Sequence, residues 1–372
     1  MNKKIISILS IIITVFVLFF SVFFFFTKKM TFSENENRYL ANLPEFTMES
    51  LTSGEFMEDI KNYLSDHFPL RDAFMGLRAN VYKLTGQYYL NGVYLGKDGY
   101  LLEKFEGAEN QEKIMNRLNS FVASLENVNI SFLLAPTSTG IYTEKLPELS
   151  YNESQKDVIN SYYDTLNFNE IDVYSKLLEE KNNYNLYYKL DHHWTTYGAY
   201  FAYVSYCEKM GITPYSLEEF EKKEVSNSFY GTYYSKANDY SLKADNMYRF
   251  SLMNDSFNVS YVNNNVVKDT FYEDSYLEKK DKYSYFLDNN HPLIVIENKN
   301  IDNNDEIVVI KDSYANCFVP FLARHYKKVH VIDPRYYKLP VSNYIKEQNI
   351  KNVLFLYNVG TLDNDLGIVS VR

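Results

Sequence analysis

The stretch EIVVIKDSYANCFVPFLARHYKKVHVID, residues 306–333, decides the fold. A short apolar run, Ile307–Ile310, meets a polar turn at Lys311-Asp312-Ser313; a helical segment interrupted at Pro320 follows, then a second strand-like run, Val329–Ile332, apolar but for His330. Runs of four or five apolar residues between turns fit strands covered on both faces. YIKEQN (344–349) and VLFLYN (353–358) repeat the order helix then strand. Upstream, residues 110–129 place Ile114, Leu118, Phe121, Val122 and Leu125 on one helical face and lead into ISFLLAP, 130–136. Further helices are expected near 157–166 and 171–181. Strands alternating with helices imply right-handed crossovers and a parallel sheet. The predicted fold is α/β.

Working outward, residues 215–290 are aromatic and Asn-rich with short strand-like pieces such as FNVSYV, and read as an inserted β-rich lobe. Residues 196–210 form a helix capped by Thr195 or Thr196 and stopped by Gly211. VYLGKDGYLLEKF (93–105) reads as a hairpin turning at Lys97-Asp98-Gly99. Residues 30–90 read as a stalk and helical arm, broken at Pro69 and resumed from Arg71 to Leu84, with Asp66 and His67 in structural roles. The body is then 91–372.

Ile5–Phe26 is a run of 22 uncharged residues between Lys3-Lys4 and Lys28-Lys29. At 1.5 Å per residue it crosses a bilayer. It ends in four phenylalanines with no small-residue cleavage site, so residues 1–29 read as an uncleaved, single-pass anchor. Lysines on both sides leave its orientation open. Without that segment the chain carries 34 basic and 48 acidic residues, a net charge of −14. Such a surface repels nucleic acid and anionic lipid. Aromatic residues make up 17% of the chain, with 36 Tyr and one Trp. A wet binding surface or the base composition of the gene accounts for that excess. Cys207 and Cys317, the two cysteines, read as small buried hydrophobes.

Chemistry gathers at two places. Ser313 ends a predicted parallel strand and starts a helix, where sites form in open parallel sheets. It is either a nucleophile or a plain helix cap. DHHW, 191–194, precedes the capped helix. Residues two apart in an extended segment share a side, so Asp191 can orient the His193 imidazole as a base while His192 points away. Adjacent histidines share one metal ion poorly in a strand, and no second histidine cluster is present in the sequence, so no metal and no cofactor is expected. Trp194 either stacks on a sugar ring or packs beneath the His193 loop. Arg335, at a strand end, binds an anionic group or forms a structural ion pair. Tyr314 joins them as a candidate substrate contact, and Pro136 and Thr137 as pocket lining.

DHHWTTYGAYFAY (191–203) resembles the signature of the DHHW protein family, itself similar to the SGNH hydrolase-like domains of alginate O-acetyltransferases. ENRYLANLPEF, DHFPLRD, APTSTGIYTEKLP, FYGTYYSKAND and IKDSYAN extend the resemblance over most of the chain. It implies an SGNH-like fold in permuted order, with Asp191 as acid, His193 as base and Ser313 as acyl carrier. No SGNH glycine or asparagine block is recognisable for the oxyanion; Asn358 and the amides near Tyr314 are the candidates. The implied activity is O-acetyl transfer outside the membrane to an exported polysaccharide or wall glycan, with a multispanning O-acyltransferase partner supplying acetyl. An esterase with the same triad and a non-catalytic glycan-binding scaffold are the alternatives.

Overall fold

The computed structural model describes residues 3–364 and 367–372. They form two compact units, Met1–Gln87 with Tyr234–Leu242, and Tyr88–Tyr233 with Lys243–Arg372.

An eight-stranded mixed sheet organises the second unit. In chain order its strands are β1 (Asn129–Ala135), β2 (Asn169–Glu170), β3 (Phe257–Tyr261), β4 (Val266–Lys268), β5 (Leu293–Asn298), β6 (Glu306–Lys311), β7 (Lys328–Ile332) and β8 (Asn352–Asn358). They lie in the order β4-β3-β5-β7-β6-β8-β1-β2. The pairings β7/β6, β6/β8, β8/β1 and β1/β2 are parallel. Those of β5 with β7, and of β3 with β5 and β4, are antiparallel. The parallel half follows the alternation of apolar runs and helices. The antiparallel half departs from expectation: β3 and β4, within the supposed inserted lobe, are the two outermost strands at one side of the main sheet. Residues 221–229 and 245–251 form a separate two-stranded hairpin, and residues 234–242 belong to the first unit.

Both faces of the sheet are covered because its central strands carry apolar side chains to both sides along most of their length. Ile307 and Val309 enter one core with Leu133, Val331 and Leu354. Val308 and Ile310 enter the other with Leu134, Ile332 and Phe355. Fully burying each such side chain contributes roughly 1.5–3 kcal/mol. Helices Thr196–Met210, Ala315–Leu322 and Val173–Glu180 cover the first face. Gln111–Ala123, Gln155–Thr165 and Val341–Glu347 cover the second, Gln111–Ala123 through Ile114, Leu118 and Phe121. Pro320 lies inside the Ala315–Leu322 helix rather than ending it. Cys207 and Cys317 are free, buried thiols.

In the first unit, Lys3–Phe26 is one helix, long and apolar enough to cross a membrane. Glu55–Asp66 and Arg71–Leu84 are helices separated at Pro69, as expected. Asp66 has a structural part: it accepts hydrogen bonds from Arg38 Nη1 at 2.9 Å and from the Ala41 amide at 2.9 Å.

Candidate active site

Four parallel strands deliver polar residues to one edge of the sheet. Thr137 follows β1, Ser313 follows β6, Asp333 follows β7 and Asn358 ends β8. Ser313 sits at the turn from β6 into the Ala315–Leu322 helix. Asp312 fixes that turn. Its fully buried carboxylate accepts from the Tyr314 amide (2.9 Å), the Asn358 amide (2.8 Å) and Asn358 Nδ2 (2.7 Å). Burial still pushes it up to about 7.

Residues 188–193 form a tight turn, not the extended segment expected. The Tyr188 amide donates to the His193 carbonyl, and Tyr187 bridges Trp194. Within it the Asp191 side chain folds back to accept from the His193 amide at 3.0 Å, as aspartates do in turns. Asp245 holds the turn from outside, accepting from the Lys189 and Leu190 amides at 3.1 and 2.9 Å.

The three residues converge. His193 Nδ1 donates to Asp191 Oδ1 at 2.6 Å, and the Ser313 hydroxyl donates to Nε2 at 2.8 Å. Asp191 Oδ2 accepts from the Thr232 amide at 2.8 Å. Burial raises the Asp191 pKa, but the neighbouring His192 and His193 imidazoles and the hydrogen bonds from His193 and Thr232 outweigh it, leaving the net shift strongly downward. A depressed carboxylate contributes stability above its unfolded pKa and loses it only as pH falls through the folded one. Here that window lies far below neutrality.

Two residues outside the expected site, Tyr283 and Gly231, complete the arrangement. The Tyr283 ring lies flat on the His193 imidazole, centroids 3.5 Å apart, and its hydroxyl donates to the Ser313 carbonyl at 3.2 Å. Its neighbours have no periodicity that would have marked it. Gly231, in FYGTYY, is a visible signal in retrospect, a small residue among bulky ones. A Cβ there would stand 2.3 Å from both Asp191 Cβ and Oδ2.

Several expectations change. His192 does not point away: its ring lies 3.8 Å from that of His193, and its Nδ1 is 3.6 Å from Asp191 Oδ1. The turn bends both rings to one side. Asp191, His192 and His193 could thus offer ligand atoms within 4.8 Å of one another, but an ion there would compete with the Asp191–His193 hydrogen bond. Trp194 is 0% exposed and cannot stack on a sugar; it packs beneath the loop and donates Nε1–H to the Tyr314 carbonyl at 2.9 Å. Tyr314 is likewise buried, its hydroxyl donating to the His192 carbonyl at 2.5 Å. Its amide serves Asp312, so it is not available to an oxyanion. Asn358 Nδ2 is also committed, to Asp312 and to Thr361 Oγ1. At the Ser313 turn the Ser313 N–H is the amide without an acceptor among the described residues.

Arg335 grips Asp333 with Nε at 2.8 Å and Nη2 at 2.5 Å, the structural ion pair of the two alternatives. Asp333 also faces Lys311, 3.4 Å away and fully buried, whose Nζ donates to Asn290 and Asn316 at 2.6 and 2.7 Å. Burial lowers that lysine to about 8. A cavity of about 700 Å³ opens beside the triad at His192 and Tyr314, with Thr137, Arg335 and Asn358 in its wall.

A family model described as DHHW protein matches residues 85–332. A DHHW family protein from Eubacterium siraeum is similar in structure, with a TM-score of 0.68 and 25% identity over 76% of this chain and 96% of its own. Bacillus cereus PatB1 follows at 0.61 and 25%, covering 73% of this chain and 97% of that one. PatB1 with a sulfonyl adduct gives 0.61 and 24%, covering 75% and 98%. No curated protein matches the sequence. With the matched segment spanning two-thirds of the chain and holding its whole DHHW turn, this protein belongs to the DHHW protein family.

Proposed function

We propose that this protein is a membrane-anchored, SGNH hydrolase-like O-acetyltransferase that moves acetyl groups to a polysaccharide outside the cell. The observation that carries the reading is the continuous relay Asp191–His193–Ser313, with contacts of 2.6 and 2.8 Å. A serine hydroxyl is a weak nucleophile until an oriented base takes its proton. His193 Nε2 accepts that proton as Oγ attacks the acetyl carbonyl. The tetrahedral oxyanion is met by the Ser313 N–H. Its collapse expels the donor's oxygen, which leaves with the proton from Nε2, and acetyl-Ser313 remains. A glycan hydroxyl then gives its proton to Nε2 and attacks the acetyl-serine. The second collapse returns the proton to Ser313 Oγ and releases the acetylated glycan. The Lys3–Phe26 helix is the anchor. A multispanning partner passes acetyl outward, since one span cannot carry it across.

The test is p-nitrophenyl acetate supplied with and without oligosaccharide. Acetylated sugar, formed at the expense of free acetate, is the expected product. Donor hydrolysis unchanged by every sugar tried would assign the triad to an esterase instead.

A further inference from the structure

The cavity of about 700 Å³ beside the triad has a wall that carries charge unevenly. Four carboxylates, Glu103, Glu106, Glu109 and Asp363, face it against two cations, Lys104 and Arg335. Both cations are already paired, Lys104 with Glu106 and Arg335 with the buried Asp333. Asp363 accepts from the Glu109 and Asn110 amides at 3.0 and 2.6 Å, which orient its carboxylate without neutralising it. Glu103 Oε1 lies against Gly360 in this lining, where a Cβ on the glycine would come within 3.1 Å of it. An acidic polymer entering here meets a net excess of like charge, and the two cations among the described lining residues already have carboxylate partners, which costs affinity. Asn110, Thr137, Thr361 and Asn364 add neutral hydrogen-bonding groups suited to sugar hydroxyls.

We propose that the acceptor glycan is free of carboxylate and phosphate groups, built of neutral or amino sugars, and that this cavity excludes uronic acid polymers. The inference rests on the acyl-transfer reading only in taking the cavity as the acceptor's seat. Binding to the Ser313→Ala protein tests it without turnover. Titration with tetrasaccharides of N-acetylglucosamine, glucosamine and galacturonic acid at low salt should give Kd values about tenfold weaker for the uronide. Glu103→Gln with Glu109→Gln should narrow that gap. Uronide binding as tight as the others, or no binding by any of the three, would overturn it. Normal binding without acetyl transfer by the wild type would strike the acyl-transfer reading instead.

A second observation stands apart, in the first unit. The Phe20 ring of the Lys3–Phe26 helix stacks on Phe68 at 5.1 Å and touches Phe74 at 5.9 Å. Phe20 lies six residues inside the helix end, about 9 Å along the axis. If that helix spans the bilayer, Phe68 and Phe74 reach into the outermost acyl chains, within the depth of about 5–10 Å at which interfacial helices bury their apolar faces. The Arg71–Leu84 helix runs on from there with one apolar stripe in the open: Phe74, Leu77, Val81 and Leu84 are 40%, 55%, 44% and 87% exposed. Its other face is occupied, Gly76 lying against Tyr240 and Lys83 pairing with Asp239. We infer that this stripe rests on the membrane surface.

Full-length protein in liposomes, labelled with a polarity-sensitive dye at Leu77→Cys or Leu84→Cys, tests this. The native thiols are buried, so labelling is selective. Nitroxide on lipid acyl chains should quench both positions and spare a label at exposed Asp164→Cys. Labels quenched no more than at Asp164, or a blue shift without quenching (protein rather than lipid over the stripe), would overturn it. Loss of the protein on alkaline washing would instead refute the anchor.

Discussion

Replacing Ser313 by alanine should lower acetyl-ester turnover by about ten-thousand-fold while the fold stands. The size follows from the relay: without Oγ, acetyl has no covalent resting place, and only binding and the oxyanion donor remain. The fold should survive because Ser313 is half-buried and the turn is held by Asp312, whose three N–H partners do not involve the hydroxyl. Thermal melting and p-nitrophenyl acetate kinetics on the same samples separate the two effects. A sulfonyl fluoride should label the wild type at Ser313 and leave the variant untouched. His193→Ala should match Ser313→Ala in rate, and the double variant should lose little more, since the pair acts as one unit. Retention of even a tenth of wild-type turnover by Ser313→Ala would remove the serine from the chemistry.

Gly231→Ala should cost about a hundredfold or more in kcat, although residue 231 performs no chemistry. A methyl group there would stand 2.6 Å from Asp191 Cγ, so the carboxylate or the backbone has to move. Moving the carboxylate breaks its bond with the Thr232 amide and the 2.6 Å contact that fixes the His193 tautomer. Glycine at 231 is thus a requirement of close approach. The check is a cycle with Asp191→Asn. If Gly231 acts through Asp191, the double variant should be no slower than Asp191→Asn alone. Losses that multiply would assign Gly231 to general stability, and a rate within threefold of wild type would show that the carboxylate tolerates the methyl.

Much of this site is readable from sequence because its residues lie at element boundaries. Ser313 stands where an apolar run stops, and Asp191 and His193 precede a capped helix, so the strand–helix alternation places them at one sheet edge. The antiparallel strands β3 and β4 are hidden in an Asn-rich region, where short alternating pieces fit a separate lobe equally well. Tyr283 is illegible for another reason: aromatic stacking on His193 depends on tertiary placement, and the tyrosine is one of 36. Trp194 shows the limit of residue-type reasoning, since an aromatic ring suits a sugar platform and a core equally. Here the indole N–H found the Tyr314 carbonyl and settled inside. The local geometry of DHHW also turns on something periodicity does not carry, an aspartate bonding to its own backbone two residues on. That bend brings His192 onto His193.

The unit that holds the N-terminal helix is completed by residues 234–242, supplied from more than 140 positions further along the chain. Lys83 finds Asp239 there, and Gly76 the Tyr240 ring. In evolutionary terms the arm is therefore not a detachable module. A single recombination crossover near residue 87 would pair an arm from one ancestor with a downstream segment shaped for another, so the two pieces have to be inherited and altered together.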